Sequence, residues 1–431
     1  MELSHIIIML ILLGCMATYI PVFMCLFFSA LLGFALFTDM PILLLAQTLF
    51  RSMDNFALVV VLFFILCGNI MTAGSIVEKL IKVANVLVSW LPGGLGMAGV
   101  LACGLFGAIS GSTVATVVAL GGFMIPALMD NGYPIKYTLG LMTTSPNLGV
   151  IIPPSIGMIL YSMISNVSLE GLFLTGFIPG LLIMTGSCVY TYFIFREKTD
   201  MVRLPLPSLA QVVAVIRECF WALMLPVIIF GGIFSGAFTA NEAAVVACVY
   251  AFVVELFIHR SIKIRDIKKI TVDSAVTSAT LLIIVAGATC FGRLLTLEDI
   301  PGRITEAVLA AIQSPVLFLF AINILLLIVG MFMDIISATM ILGPVFLPML
   351  DSFGISWMHF GLILTVNLAI GYCTPPMGVS LYITGTIANK DIIFVSKAVL
   401  PFLIIQGAVL FLITYMPGLV LWLPRLMGFS E

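Results

Sequence analysis

The side chains of this 431-residue sequence that could do chemistry stand where a helix cannot continue. Ser110-Gly111-Ser112-Thr113 interrupts Gly93 to Met129, a stretch without a charge. Asn147, Gly149 and Ser155 surround Pro153-Pro154 in a second uncharged stretch, Tyr137 to Leu169. Asp334 is the lone charge between Ala307 and Leu350, with Ser337 and Thr339 just beyond it, and Gly371, Thr374 and Gly378 flank Pro375-Pro376. Hydroxyl and amide oxygens with unwound carbonyls can replace the water around a small hard cation. The N–H groups and positive dipole end of a half-helix can hold an anion. An ionisable group deep in an apolar run marks function by default; the alternative for Asp334 is a structural ion pair with Arg293. Thr116 and Ser187 read differently, as hydroxyls that back-bond to helical carbonyls.

Catalysis is the competing class, and it fits poorly. The candidate serines lack a G-x-S-x-G setting, there is no HExxH, and no Walker A sequence is present to supply energy from a nucleotide. His5, His259 and His359 stand near the ends of apolar runs and read as interfacial. The nine cysteines lie in or beside apolar runs without a CxxC pair and read as small buried hydrophobes. A net charge of −2 with scattered Lys and Arg implies no nucleic-acid partner.

The elements that must position these residues are membrane helices. The chain is 62% apolar and 9% charged, against about 45–50% and about 25% in soluble domains. Runs at 6–37, 56–74, 171–195, 219–238, 241–258, 274–296 and 394–423 read as spans, the first as two short helices broken at Pro21. Its start lacks a basic region and a small-residue cleavage site, so it reads as a membrane segment and not a signal peptide. Gly93–Met129 and Ala307–Leu350 exceed one span and are interrupted centrally, so each reads as a re-entrant hairpin with its tip near mid-membrane. The two Pro-Pro stretches, 137–169 and 352–389, read as spans broken halfway, unwound from Ser145 to Pro154 and from Gly371 to Pro376. Amphipathic Glu78–Val83 and Arg303–Leu309 read as interfacial arm helices before each hairpin. Glu242 is placed to cap a helix start.

These anomalies repeat at an offset of 222 residues. That shift carries Gly121 to Gly343, Pro126 to Pro348, Gly149 to Gly371, Pro153 and Pro154 to Pro375 and Pro376, and Pro179 to Pro401. Five crossings separate the hairpins, and an odd number inverts the second copy. Charge agrees. Loops on one side hold Lys79, Lys82, Lys136, Arg196, Lys198, Arg203, Arg217, Arg260, Lys263, Arg265, Lys268, Lys269, Lys390 and Lys397; those opposite hold Arg51, Arg303 and Arg425. The first hairpin therefore opens from the cytoplasm and the second from outside. The fold class is an all-α polytopic membrane protein with inverted repeats, two re-entrant hairpins and two broken helices. That is the architecture of secondary transporters, with sites near the midplane. A channel suits tight inverted hairpins less well.

Over nearly its whole length the chain resembles the large membrane subunit of the TRAP (tripartite ATP-independent periplasmic) transporters, of DctM or SiaM type. The resemblance rests on Pro92-Gly93-Gly94-Leu95-Gly96, Ser110-Gly111-Ser112-Thr113-Val114-Ala115 and Ile151-Ile152-Pro153-Pro154-Ser155-Ile156. In the second half it rests on Gly231-Gly232-Ile233-Phe234-Ser235-Gly236, Gly330-Met331-Phe332-Met333-Asp334 and Thr374-Pro375-Pro376-Met377-Gly378. It departs at Asn241-Glu242-Ala243, where relatives often carry Thr-Glu-Ala.

The resemblance implies an elevator carrier of the bacterial inner membrane that moves a small organic anion, of the C4-dicarboxylate or sialic acid class, with two or more Na⁺. It implies two protein partners: a small integral membrane subunit (DctQ or SiaQ type) and a periplasmic substrate-binding protein (DctP or SiaP type). Because the first hairpin begins near residue 93, no fused small subunit is expected. A binding-protein-independent carboxylate carrier of similar architecture is the alternative. Ser110, Ser112, Asn147 and Gly149 are expected near one Na⁺, Asp334, Thr339, Gly371, Thr374 and Gly378 near another, and Ser112, Thr113 and Ser155 at the substrate. The expected division is scaffold and arm at 1–92, transport domain at 93–170, scaffold and arm at 171–306, transport domain at 307–390, and a C-terminal helix at 391–431.

Overall fold

The computed structural model describes residues 7–429 except 9, 13, 16–19, 39 and 198–204; His5, Lys198 and Arg203 lie outside them. The described residues form helices and no strand, since in hydrocarbon the backbone must satisfy its own polar groups. Eight of the described helices are long and apolar enough to cross a membrane, or ten if each of two bent pairs is one span.

The described residues between 7 and 15 are helical, and after Pro21 the chain continues as α1 (Val22–Phe37), α2 (Ile42–Met53), α3 (Ala57–Ala73) and the arm α4 (Ile76–Val88). The first hairpin is α5 (Gly94–Ser110) and α6 (Thr113–Asp130). The first broken span is α7 (Ile135–Thr144), a 3₁₀ turn at Ser145–Asn147, α8 (Leu148–Ile151) and α9 (Ile156–Ser165), and α10 (Leu169–Phe195) follows. The second copy runs α11 (Leu209–Glu218), α12 (Phe220–Phe234), α13 (Ala240–Val253), α14 (Ile264–Leu297) and the arm α15 (Ile300–Ala311). Its hairpin is α16 (Pro315–Phe332) and α17 (Ile335–Phe353), and its broken span α18 (Trp357–Gly371) and α19 (Val379–Ala388). The chain closes with α20 (Ile392–Tyr415) and α21 (Pro417–Leu426).

The 222-residue shift carries Ile42, Thr113 and Ile135, the first residues of α2, α6 and α7, onto Ile264, Ile335 and Trp357, the first residues of α14, α17 and α18. The repeat is therefore one of backbone as well as sequence. The copies differ before the hairpins: α2 and α3 are bent by 53°, whereas α14 runs unbroken for 34 residues. Asn55 explains the bend, because its Oδ1 accepts the Ala57 N–H at 2.9 Å and competes with the helix. The matched Thr277 instead back-bonds to the Asp273 carbonyl at 2.9 Å, which leaves the helix whole. Neither α2 nor the charged first turns of α14 stand out as apolar runs.

Two groups of helices form. One packs α1, α2 and α3 on α14, and α3 and α12 on α13. The other packs the hairpins and broken spans with α10, α20 and α21; α10, placed with the scaffold on sequence alone, packs on α5, α18 and α20. The broken spans are the centre of the molecule. All residues from Tyr137 to Tyr161 and from Met358 to Gly371 are buried.

The capping role of Glu242 is as expected: it closes a box in which its Oε2 accepts the Thr239 N–H at 2.8 Å and Thr239 Oγ1 accepts its N–H at 3.3 Å. A buried carboxylate anchors the first arm. Glu255 accepts the Ser75 and Ile76 N–H groups at 2.8 and 2.7 Å, satisfying donors that a helix start leaves free. His359 corrects the interfacial reading: it is 3% exposed and its Nε2 donates to the Ile413 carbonyl at 2.8 Å, because α20 covers the start of α18.

Candidate functional site at the hairpin tips

Each hairpin tip is seated on a helix break of its own repeat. At the first, Gly111 has φ +63°, a conformation that glycine adopts without strain. It leads to Ser112, whose Oγ accepts the Ala115 N–H at 3.3 Å and starts α6. Thr116 donates to the Ser112 carbonyl at 2.7 Å, and its hydroxyl is 3.2 Å from that of Ser110. Thr116 thus back-bonds as expected, and it also joins both serines of the tip. The tip presses on Gly149: a Cβ there would come within 2.6 Å of Thr116 Oγ1 and 3.0 Å of the Ser112 carbonyl oxygen. On the other side, a Cβ on Gly107 would lie 2.5 Å from Gly149 Cα. Ser110, Ser112, Thr116 and Gly149 therefore meet.

Thr113 is buried, and its hydroxyl has no partner among the described residues. Ser155 is fully buried and caps α9, its Oγ accepting the Met158 N–H at 3.4 Å. Asn147 is fully buried too, but its amide bonds Gln406 of α20 at 2.8 Å. The segment from Ser145 to Gly149 also corrects an expectation. It is not unwound; Pro146 tightens it into a 3₁₀ turn, α8 resumes the helix, and the gap comes at Ile152–Ser155. A missing N–H is tolerated at the start of a new turn, so one proline need not end a helix.

At the second tip Met333 is extended, and Asp334 caps α17, its Oδ1 accepting the Ser337 N–H at 2.9 Å. The Ser337 hydroxyl bonds the other carboxylate oxygen. The structure shows no ion pair between Asp334 and Arg293, which is exposed. A Cβ on Gly330 would lie 3.1 Å from Gly371 Cα, the counterpart of the Gly107 approach, and one on Gly371 would lie 2.6 Å from Gly330 Cα. Gly371 is the last residue of α18, so the second break starts at Tyr372 rather than at Gly371. Thr374 donates to the Ile370 carbonyl at 2.8 Å, the Gly378 N–H bonds the Thr374 carbonyl at 3.2 Å, and Thr339 is buried with no hydroxyl partner among the described residues.

The halves interlock: α6 packs on α19 and α17 on α9. A Cβ on Gly157 would lie 3.0 Å from Ile335 Cγ2 and 3.8 Å from Ser155 Oγ, so the second tip borders Ser155 of the first break. The described residues hold no cluster of three or more His, Cys, Asp or Glu. The donors present are hydroxyls, carbonyls and one carboxylate, which suit a hard cation over a transition metal. Gln406, which supports Asn147, was not among the expected site residues; its one signal is an amide in an apolar run.

The family model of the DctM component of tripartite ATP-independent periplasmic transporters matches residues 9–419. The chain belongs to this family. It is similar to the C4-dicarboxylate TRAP transporter large permease protein DctM of Rhodobacter capsulatus, 38% identical over 440 residues, 99% of this chain and 100% of that one. It is also similar to the sialic acid TRAP transporter large permease protein SiaM of Vibrio cholerae, 34% identical over 420 residues, 97% of this chain and 98% of that one. Among solved structures, the YdaH transporter of Alcanivorax borkumensis shares the fold at a TM-score of 0.64 and 16% identity, covering 90% of this chain and 91% of that one. As a TRAP large permease the chain is a multi-pass protein of the bacterial inner membrane and a transporter rather than an enzyme.

Proposed function

We propose that this TRAP permease imports a small organic acid anion, of the C4-dicarboxylate or sialic acid class, driven by Na⁺ through an elevator movement. The observation that carries the reading is the seating of each hairpin tip on a helix break, with a serine cap at one and a carboxylate cap at the other. Ser110, Ser112, Gly149 and the Asn147 backbone lie around one Na⁺. Asp334, Thr339, Gly371, Thr374 and Gly378 lie around a second, whose charge the carboxylate balances. Ser112, Thr113 and Ser155 border the substrate, where the free N–H groups and dipole of α6 favour a carboxylate.

The moving body comprises 93–170 and 307–390 together with α10 and α20, which pack on them. It slides against α1–α3 and α12–α14, with α4 and α15 as arms. A small integral membrane subunit extends the scaffold, and a periplasmic binding protein delivers the anion.

Radiolabelled uptake of succinate and of sialic acid into proteoliposomes tests this, with and without an inward Na⁺ gradient and each partner. Uptake that needs Na⁺ and both partners is expected. Uptake by the chain alone would replace the tripartite reading with an autonomous carrier, and uptake indifferent to Na⁺ would remove the coupling.

A further inference from the structure

The turn that precedes the first helix break is held by a side chain from outside both hairpins. In the turn at Ser145–Asn147 the Leu148 N–H goes to the Ser145 and Pro146 carbonyls, which frees the Thr144 carbonyl that an α-helix would have bonded. Gln406 Nε2 donates to that carbonyl at 2.9 Å, and Gln406 Oε1 accepts from Asn147 Nδ2 at 2.8 Å. Gln406 is 1% exposed and Asn147 fully buried, so water cannot substitute. The Cys373 thiol, from the second break, donates to the Thr143 carbonyl at 3.1 Å and reaches Asn147 Oδ1 at 3.4 Å. Both ends of the Gln406 amide are therefore committed, and turning it over would set donor against donor.

The 222-residue match of Gln406 is Met184, which cannot make these bonds. The matched position in the other repeat therefore lacks this device, which serves the turn just before the Gly149 that receives the Ser112 tip.

We propose that Gln406 is a positioning residue for cation binding at the first tip. Acting through Thr144 and Asn147, it fixes the rotation of the Ser145–Gly149 turn and so the direction of the carbonyls that the tip closes on. This rests on the Na⁺-coupled reading above.

The test uses Gln406→Met, which keeps length and removes both bonds, in proteoliposomes with the partner proteins. The half-saturating Na⁺ concentration rises roughly tenfold, as when outer partners of metal ligands are lost, while the maximal rate at saturating Na⁺ is kept. A lower maximal rate at unchanged half-saturation would mean packing alone and overturn the proposal. Hydrogen exchange of purified protein gives a second readout: the Leu148–Ile151 amides exchange faster in Gln406→Met, and unchanged exchange overturns the proposal.

Asn147→Leu combined with Gln406→Leu covers the case of poor folding, because removing both partners orphans fewer groups. Its shift matches the larger single shift if the two act as one unit, and additive shifts refute that. If wild-type uptake ignores Na⁺, the coupling reading fails by itself, and exchange at Leu148–Ile151 still decides whether Gln406 holds the turn.

Discussion

At the first tip the chain turns through Gly111 and starts α6 on a serine; at the second it turns through an extended Met333 and starts α17 on an aspartate. Both helices start on an extended cap, but the residue before it is left-handed at Gly111 and extended at Met333, and the caps differ in charge. A hydroxyl cap accepts one N–H and leaves the positive helix end largely unbalanced, whereas a carboxylate accepts the N–H and neutralises that end. The helix start at the first tip thus leaves a positive end open to an anion beside the proposed cation, whereas the second tip suits a cation alone. What the duplication kept is the placement of a helix start at a helix break; what diverged is whether the group placed there carries a charge.

Removing the caps breaks this comparison most directly and has the largest expected effect. Asp334→Ala raises the half-saturating Na⁺ for uptake by about 100-fold and Ser112→Ala by about tenfold, the range found when groups that orient or complete a metal site are lost. Both variants still reach the membrane and assemble with the small subunit. Sodium titration of uptake checks the order. Equal shifts would mean that the carboxylate contributes no more than a hydroxyl does, and the charge argument would fall.

The glycine approaches sharpen the comparison at an intermediate scale. A Cβ on Gly107 meets the Cα of Gly149 at 2.5 Å, while one on Gly330 meets the Cα of Gly371 at 3.1 Å. Backbone cannot swing aside, so Gly107→Ala costs about 2–3 kcal/mol and Gly330→Ala about 1 kcal/mol. Unfolding by SDS titration measures both, and the reverse order would contradict the closer seating of the first hairpin.

The helix-breaking residues make most of the fold legible in the sequence. The hairpin turns fall at Gly111 and Asp334, and the breaks contain Pro153-Pro154 and Pro375-Pro376, because backbone chemistry there is local; the arm helices cover the amphipathic Glu78–Val83 and Arg303–Leu309. Ser110, Ser112 and Gly149 come together for the same reason. Asn147 shows the limit. Its position on the broken helix was readable, but its amide bonds a residue 259 positions away, and no local pattern announces a partner so remote. The bend at Asn55 and the extension of α14 back from Ser274 to Ile264 are not legible for related reasons: a side-chain bond decides the first, and the charged turns of the second at a membrane surface carry little hydropathy signal.

The smallest effect comes from the matched pair Gly121 and Gly343, where hairpin helices cross onto the other repeat. A Cβ on Gly121 sits 3.4 Å from Ile387 Cδ1, ordinary contact, so Gly121→Ala is neutral or gains up to about 1 kcal/mol from helix propensity. A Cβ on Gly343 would overlap Ile164 Cδ1 at 2.0 Å, so Gly343→Ala forces that side chain aside and loses about 1 kcal/mol. Ile164→Val removes the clashing methyl and, added to Gly343→Ala, restores stability to within a few tenths of a kcal/mol of Ile164→Val alone. The same SDS titration reads all four variants. If Gly121→Ala and Gly343→Ala behave alike, the two crossings are equivalent and add nothing to the asymmetry seen at the caps, at the bend of α2 on α3 and at Gln406.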